Sequence, residues 1–139
     1  DRGRTQTLVW SVKVLLDTCT FIWLALDTGR LSPIATRLIE DESNELFLSD
    51  VSLWEICLKH SSGRLPLPHP PDAWIPSRRT FFSLTPLPIA EESILKTTQL
   101  PPHHTDPFDR LIAAQAISEN LTILSPDKPL SLLGAARLW

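Results

Sequence analysis

The sequence lacks methionine and tyrosine entirely and contains only two cysteines, Cys19 and Cys57, among its 139 residues. Two cysteines so far apart provide neither a disulfide framework nor the paired spacing of a cysteine metal site. A reducing, cytoplasmic setting is therefore the favoured interpretation. The longest apolar runs fall well short of the roughly 20 residues that a membrane-spanning helix needs, so we expect no association with a membrane.

A strong charge of either sign is also missing. The formal net charge of −3 gives no general attraction for nucleic acid, so any such binding has to be local and aided by cations. Hydrophobic residues make up 42% of the chain and charged residues 21%, a balance typical of folded globular proteins rather than disordered ones. The length suits one sizeable core, and we interpret residues 12–139 as a single domain.

The N-terminal segment 1–11, DRGRTQTLVWS, does not resemble a targeting sequence, because its charges are not followed by an adequate apolar stretch. The chain begins without methionine. We therefore interpret residues 1–11 as an N-terminal extension, either foreign to the native protein or a truncated start, and assign it no function.

Short apolar runs alternate with helix-like stretches along the rest of the chain. We predict strands at 12–16, 46–50 and 121–125, with weaker candidates at 81–88 and 135–139. We predict helices at 20–27, 33–42, 52–63, 89–100 and 106–120. This alternation predicts an α/β fold, a three-layer α/β/α sandwich around a mainly parallel sheet.

Two segments carry the clearest local signals. RLPLPHPPDAWIP (64–76) contains five prolines, and we expect an irregular, extended connection around a short helical turn. The helix at 106–120 has Asp106 as its N-cap candidate, Pro107 at the first helical position and Asp109 at the third. Asp106 is assigned mainly this capping role, and Asp109 can serve as the acid of a capping box.

Four acidic residues occupy positions that a doubly wound fold would bring together: Asp17, Glu55, Asp109 and Asp127. Asp17 follows the apolar run VKVLL, and Asp127 follows LTILS, so both lie just past strand ends, where open parallel sheets bind ligands. The other two lie early enough on helices to reach the same edge. Converging carboxylates repel one another, and a divalent cation removes that penalty. The pattern therefore predicts a site for a hard divalent metal ion suited to phosphate chemistry.

Each acid taken alone also has a structural explanation. Asp17 can cap the helix that follows it. Glu55 can form an ordinary helical ion pair with Lys59, four residues further on. Asp127, within SPDKP, can be a turn aspartate. The metal-site hypothesis therefore rests on all four acids jointly and on their order.

The order of these acids and the residues around them resemble the PIN-domain ribonucleases, particularly the VapC-like toxins of bacterial toxin–antitoxin pairs. The resemblance covers nearly the whole chain from Val12 to Trp139. It rests on LLDTCTFIWLAL (15–26), SDVSLWEICLKHSSGRL (49–65), LPPHHTDPFDRLIAAQA (100–116) and LTILSPD (121–127).

The resemblance implies a metal-dependent endoribonuclease that holds one or two Mg²⁺ or Mn²⁺ ions. By this resemblance, its catalytic, metal-binding acids are Asp17, Glu55, Asp109 and Asp127. Ser125 takes the place of a hydroxyl residue often found two positions before the last acid. Cys19 stands where many relatives carry histidine.

The resemblance also implies partners. These are an RNA substrate, cleaved to 5′-phosphate and 3′-hydroxyl ends, a second copy of the chain in a homodimer, and a cognate antitoxin whose inserted segment blocks the acidic crevice. Arg110 and His104 are candidate contacts to substrate phosphates. Arg110 can instead pair with a neighbouring acid, and His104, with the adjacent His103, can instead lie in a solvated loop.

Two rival function classes stay open on the sequence. One is a non-catalytic PIN-like module that binds RNA or protein, although a mere scaffold has no need of four clustered carboxylates. The other is a phosphoryl-transfer domain that uses Asp17, such as a haloacid-dehalogenase-like phosphatase or a receiver domain. The phosphatase pattern requires a second aspartate two residues after the first, and Cys19 occupies that position here. A receiver domain requires paired acids near the first strand, and LLDT contains only one.

Overall fold

The computed structural model of the protein describes residues 11–102 and 104–139. His103 and all but the last residue of the predicted extension 1–11 lie outside these ranges, so the division into extension and domain stays a prediction. Within the described ranges, none of the helices combines the length and the apolar character needed to cross a membrane.

Strands and helices alternate along the chain, as predicted. The strands are β1 (Lys13–Leu16), β2 (Glu45–Ser49), β3 (Thr85–Leu87), β4 (Thr122–Leu124) and β5 (Arg137–Leu138). The helices are α1 (Thr18–Leu26), α2 (Pro33–Glu40), α3 (Asp50–Ser61), α4 (Pro71–Phe81), α5 (Glu91–Lys96), α6 (Pro107–Glu119) and α7 (Pro129–Leu132). Short 3-10 turns follow α1 and α5, at Thr28–Arg30 and Thr97–Gln99.

The sheet has the strand order β3-β2-β1-β4-β5, and each neighbouring pair is parallel. Leu16 at the end of β1 is in register with Leu48 on one side and Leu124 on the other. After β1 the chain forms β2 and β3 on one side of β1, and it later forms β4 and β5 on the other side of β1. The strand order therefore reverses between β1 and β4. Such a point opens a crevice beyond the carboxyl ends of the strands.

Apolar layers cover both faces of the sheet. Val14 and Leu16 point into a core shared with α1, α2, α3 and α4, and Leu15 points into a second core shared with α6 and α7. Successive side chains of a strand face opposite sides, so a continuous apolar run such as β1 is buried on both faces. The structure thus confirms the predicted three-layer α/β/α sandwich.

The prediction for the proline-rich segment was wrong in its second half. Residues 71–76 belong to the eleven-residue helix α4 instead of an extended connection with a short turn. Pro71 occupies the first helical turn, where its missing N–H costs nothing. Pro76 lies inside the helix and removes one backbone hydrogen bond. Burial of Trp74 and Ile75 in the core offsets that loss, and the Trp74 ring packs edge-on against Phe21.

Candidate metal centre

The four predicted acids converge on one cleft at the carboxyl edge of the sheet. The cleft has a volume of about 270 Å³ and is lined by Asp17, Thr18, Cys19, Ile22, Glu55, Lys59, Asp106, Asp109 and Asp127. It lies at the end of β1 and β4, where the strand order reverses. The sequence-based grouping of these acids therefore matches their positions in the fold.

Asp17 is both a helix cap and a cleft residue. It follows β1 directly, and its Oδ1 accepts a hydrogen bond of 2.9 Å from the backbone N–H of Thr20 in the first turn of α1. The Ser125 hydroxyl donates to Oδ2, and Cys19 Sγ lies 3.3 Å from Oδ1. The residue is only 4% exposed, and this burial raises the pKa of Asp17 despite the donors around it. The capping role and the cleft position thus coexist.

Glu55 is held from two sides. Its side chain, on α3, is 7% exposed, and Oε1 accepts a 2.7 Å hydrogen bond from the hydroxyl of Thr18. Lys59 Nζ lies 2.5 Å from Oε2, so the predicted ion pair is present. The Lys59 side chain is 40% exposed and reaches the cleft from solvent, so it supplies part of the positive charge that the buried carboxylate needs.

At the start of α6, Asp106 caps the helix and Asp109 lies in the cleft with the other acids. Asp106 Oδ1 accepts from the backbone N–H groups of Phe108 at 2.9 Å and Asp109 at 3.3 Å, which confirms the predicted N-cap. The Asp109 side chain faces the other acids. Burial, and then the negative charge of Asp106, raise the pKa of Asp109 to about 7, against the smaller opposing effect of His104. At neutral pH this carboxyl is therefore divided between its protonated and ionised forms.

Ser125 connects the acids that follow β1 and β4. It is fully buried, and its Oγ donates to Asp17 Oδ2 while accepting a 2.9 Å hydrogen bond from the backbone N–H of Asp127. One hydroxyl therefore fixes both the Asp17 carboxylate and the backbone that carries Asp127. Asp127 itself is the more exposed acid, with 36% of its side chain open to solvent.

His104 enters the same site from the connection before α6. Its Nε2 lies 2.9 Å from Asp109 Oδ2 and 3.5 Å from Asp127 Oδ2. Donor atoms of these three residues lie within 4.8 Å of one another. Carboxylate oxygens and an imidazole nitrogen are ligands of divalent cations, and a cation would also compensate the clustered negative charge. The donor set therefore fits a divalent metal ion. The sequence offered His104 either as a contact to substrate phosphate or as part of a solvated loop, and did not predict this contact with the acids.

Arg110 has a different environment from the predicted one. Its Nη1 donates to the carbonyls of Pro101 and His104, each at 2.8 Å, and its Nη2 donates to those of Thr97 at 2.9 Å and Leu100 at 3.2 Å. Four of its five N–H groups are thereby used. We therefore interpret Arg110 as the residue that organises the connection between α5 and α6, instead of a contact to substrate phosphate.

Thr18 is a positioning residue that the sequence did not predict. Its hydroxyl has one proton, which it donates to Glu55, and it lies 2.9 Å from Ser52 Oγ, from which it can accept. The available signal was its place directly after Asp17 in LLDT, at the first position of a helix that begins at the sheet edge.

Removing the Thr18 hydroxyl should leave the Glu55 carboxylate less well fixed in position. We expect Thr18→Val, which keeps the shape of the side chain, to weaken divalent-cation binding by roughly tenfold, as loss of a hydrogen bond to a ligand commonly does. Titration calorimetry with Mn²⁺ measures the change. Thr98→Val is the matched control, because the Thr98 hydroxyl is exposed and bonds a carbonyl of its own helical turn. Equal Mn²⁺ affinity in both variants would contradict the positioning role.

The raised pKa values predict how the metal-free protein responds to pH. Asp109 ionises near 3.8 in the unfolded chain but near 7 in the folded one, so between these values the folded state binds more protons. The free energy of unfolding should therefore fall as pH rises from about 4 to 7, and Asp17 adds to the fall. Urea titrations in EDTA measure this slope. Saturating Mn²⁺, or Asp109→Asn, should flatten it, and a stability that rises over this range in EDTA would contradict the site electrostatics.

A larger cavity lies between α1 and α4. It has a volume of about 520 Å³ and is lined by Ala25, Leu26, Pro68, His69, Ala73, Trp74, Ser77 and Arg78. None of these side chains is a carboxylate, and His69 and Arg78 are its only ionisable ones. The smaller cleft is the candidate site because its carboxylates can bind a metal ion, whereas the larger cavity has no carboxylate in its lining.

Comparison with known families decides between the fold-level alternatives. The model of the PIN domain family matches residues 14–135, which is most of the chain. The chain belongs to the PIN domain family. This membership replaces the haloacid-dehalogenase-like and receiver hypotheses, and the resemblance noted in the sequence is confirmed.

A curated relative of this PIN domain is Ribonuclease VapC16 of Mycobacterium tuberculosis (strain ATCC 25618 / H37Rv). The two are 33% identical over 52 residues, a segment that makes up 37% of each chain. The similarity therefore spans little more than a third of that relative's length.

Several solved structures share the fold over nearly the whole chain. VapBC2 from Rickettsia felis, bound to a DNA fragment from their promoter, superposes with a TM-score of 0.67 at 16% identity, covering 92% of this chain and 99% of that one. DNA-bound VapBC from Salmonella typhimurium gives a TM-score of 0.65 at 20% identity, covering 91% and 97%. FitAcB from Neisseria gonorrhoeae gives 0.60 at 20% identity, covering 91% and 96%. At these identities the likeness establishes the fold.

Proposed function

We propose that this PIN domain is a metal-dependent endoribonuclease and the toxin of a toxin–antitoxin pair. The observation that carries the proposal is the convergence of Asp17, Glu55, Asp109 and Asp127 on one cleft where the strand order reverses. Membership of the PIN family and the similarity to a VapC ribonuclease support the same activity.

The same four acids would hold Mg²⁺ or Mn²⁺. When bound, a divalent ion supplies a water of lowered pKa and stabilises the charge that develops on an attacked phosphate. The protein's contribution is to fix the carboxylates beforehand. Ser125 and Thr20 orient Asp17, and Thr18 orients Glu55. Acids held in this way need little rearrangement to accept a cation.

Without a bound cation, the negative charge of the site would be compensated in two other ways. Asp109 with a pKa of about 7 keeps a proton on its carboxyl in part of the molecules at neutral pH, and Lys59 partly neutralises Glu55. Binding of a divalent cation would release that proton from Asp109, so affinity for the metal should increase with pH. Because the cleft is acidic and the net charge is −3, RNA phosphates also require this cation in order to approach.

RNA cleavage by the full chain tests the proposal. In EDTA the protein should leave a mixed RNA substrate intact, and addition of Mg²⁺ or Mn²⁺ should restore cleavage to fragments with 5′-phosphate ends. Cleavage that is unaffected by EDTA would contradict the proposed chemistry. RNA binding without cleavage in either metal would instead favour the non-catalytic binding module.

We also propose an antitoxin partner, a homodimer and a cytoplasmic location. The fold-level likeness to VapBC structures supports the antitoxin. Trp54 and Leu58 lie four residues apart on α3 and are 57% and 43% exposed, so one helix face presents apolar surface that a second copy can cover. Light scattering gives the oligomeric state, and co-purification with the product of the neighbouring reading frame tests the antitoxin.

A further inference from the structure

The strongest feature that the four-acid scheme leaves unused is the imidazole of His104. Its Nε2 is buried, and among the described residues no group meets hydrogen-bond geometry with it. The 2.9 Å approach to Asp109 Oδ2 brings the two atoms close without the alignment of a hydrogen bond. A buried nitrogen without a partner costs free energy, so its position calls for a further ligand.

The backbone that carries His104 is fixed. Arg110 donates to the His104 carbonyl and to that of Pro101, each at 2.8 Å, and ties the same connection to Thr97 and Leu100. The Arg110 side chain is anchored on α6, the helix that also carries Asp109. His104 and Asp109 are therefore held by one unit, which keeps the imidazole beside the carboxylate.

We propose that His104 Nε2 is a direct ligand of the divalent ion, together with the carboxylates of Asp109 and Asp127. The proposal rests on the metal site of the proposed function and adds a nitrogen donor to its acids. The three donor atoms lie within 4.8 Å of one another, close enough to share one cation. The neutral imidazole is a common ligand of transition metals, and it donates through the nitrogen that carries no proton.

This nitrogen should contribute to the preference of the site between metal ions. Mg²⁺ favours oxygen ligands and keeps much of its hydration shell, whereas transition-metal ions accept imidazole nitrogen. A site made of carboxylates alone lacks this contribution from a nitrogen donor. With His104 as a ligand, the cleft should bind Mn²⁺ more tightly than Mg²⁺, and part of that difference should depend on the imidazole.

Electron spin echo spectroscopy of the Mn²⁺-loaded full chain detects the bond directly. A ¹⁴N nucleus bonded to Mn²⁺ modulates the echo, and carboxylate oxygens give no such signal. The modulation should appear in the wild type and in the control His69→Gln, whose imidazole is exposed and lies in the loop before α4. It should be absent in His104→Gln.

Calorimetry on the same proteins provides the second measurement. His104→Gln should weaken Mn²⁺ binding by about tenfold and Mg²⁺ binding by clearly less, because only the transition metal gains from the nitrogen. His69→Gln should change neither affinity. An equal loss for both metals would mean that His104 acts through charge or packing, and would overturn the proposal.

The outcomes separate this inference from the proposed function. Mn²⁺ bound to the wild type without ¹⁴N modulation would refute the ligand role of His104 and leave the acidic metal site intact. Failure of the wild type to bind Mn²⁺ at all would overturn both. Modulation that persists in His104→Gln would show that another nitrogen binds the metal, and would also refute the assignment.

Discussion

Asp17→Asn is expected to reduce metal-dependent RNA cleavage by more than about 100-fold, since even residues that only support a metal ligand cost up to about that factor. The amide keeps an oxygen for the Thr20 backbone N–H, so the cap of α1 survives. It lacks the charge that a divalent cation needs. Initial rates on a fluorogenic RNA at saturating Mn²⁺ measure the effect.

The same variant should not be less stable than the wild type in EDTA at neutral pH. Burial raises the pKa of Asp17, which means that the ionised carboxylate is unfavourable in the folded protein, and asparagine removes that charge. Loss of activity would thus occur without loss of fold. Asp72→Asn is the matched control, because Asp72 is exposed in the first turn of α4. Comparable cleavage by both variants would contradict the role of Asp17.

Arg110→Met should lower the free energy of unfolding by about 3 kcal/mol, as expected when carbonyls lose a charged donor. Methionine keeps much of the aliphatic stem, so the main loss is that of the guanidinium. Four carbonyls between Thr97 and His104 would then lack their donor. Urea titration measures the change, and amide hydrogen exchange should increase over the connection between α5 and α6.

Arg37→Met is the control for this prediction. Arg37 is exposed in the last turn of α2, so its replacement should change stability by less than about 0.5 kcal/mol. An Arg110 variant as stable as this control would mean that the connection keeps its structure without the guanidinium. If Arg110→Met were stable but bound RNA poorly, the original prediction of a phosphate contact would regain support.

The sequence predicted the acids at strand ends because their positions depend on local pattern and on one topological rule. Asp17 ends a run that is buried on both faces, and Asp127 follows another such run. Parallel pairing of β1 with β4 then places both at the same edge. Asp106 was equally predictable, since an N-cap followed by proline is a local signal. These features required no knowledge of long-range packing.

Other features depend on contacts that no local pattern contains. The helix α4 forms despite Pro76 because Trp74 and Ile75 are buried against distant parts of the chain. Arg110 donates hydrogen bonds to carbonyls up to thirteen residues away. Its position in the sequence, next to acidic residues, did not predict these bonds. Thr18 contacts Glu55 across 37 residues. The sequence therefore left one helix, α4, and the direction of several side chains undetermined.

His104 shows the same limit within the site itself. As one of two adjacent histidines in a polar connection, it had a solvated loop as its ordinary interpretation. Its approach to Asp109 follows from the path of the backbone between α5 and α6, which Arg110 fixes. The metal site can therefore be predicted from the acids, whereas its full donor set cannot.

The dependence of RNA cleavage on free Mn²⁺ concentration, compared between the wild type and Asp109→Asn, tests the central claim most directly. The claim predicts a saturable rise in the wild type from no cleavage in EDTA, with a midpoint at the dissociation constant that calorimetry gives for Mn²⁺. The variant should stay near background at every concentration. Wild-type cleavage that does not depend on Mn²⁺, or an unchanged curve in Asp109→Asn, would contradict a metal-dependent active site in this cleft.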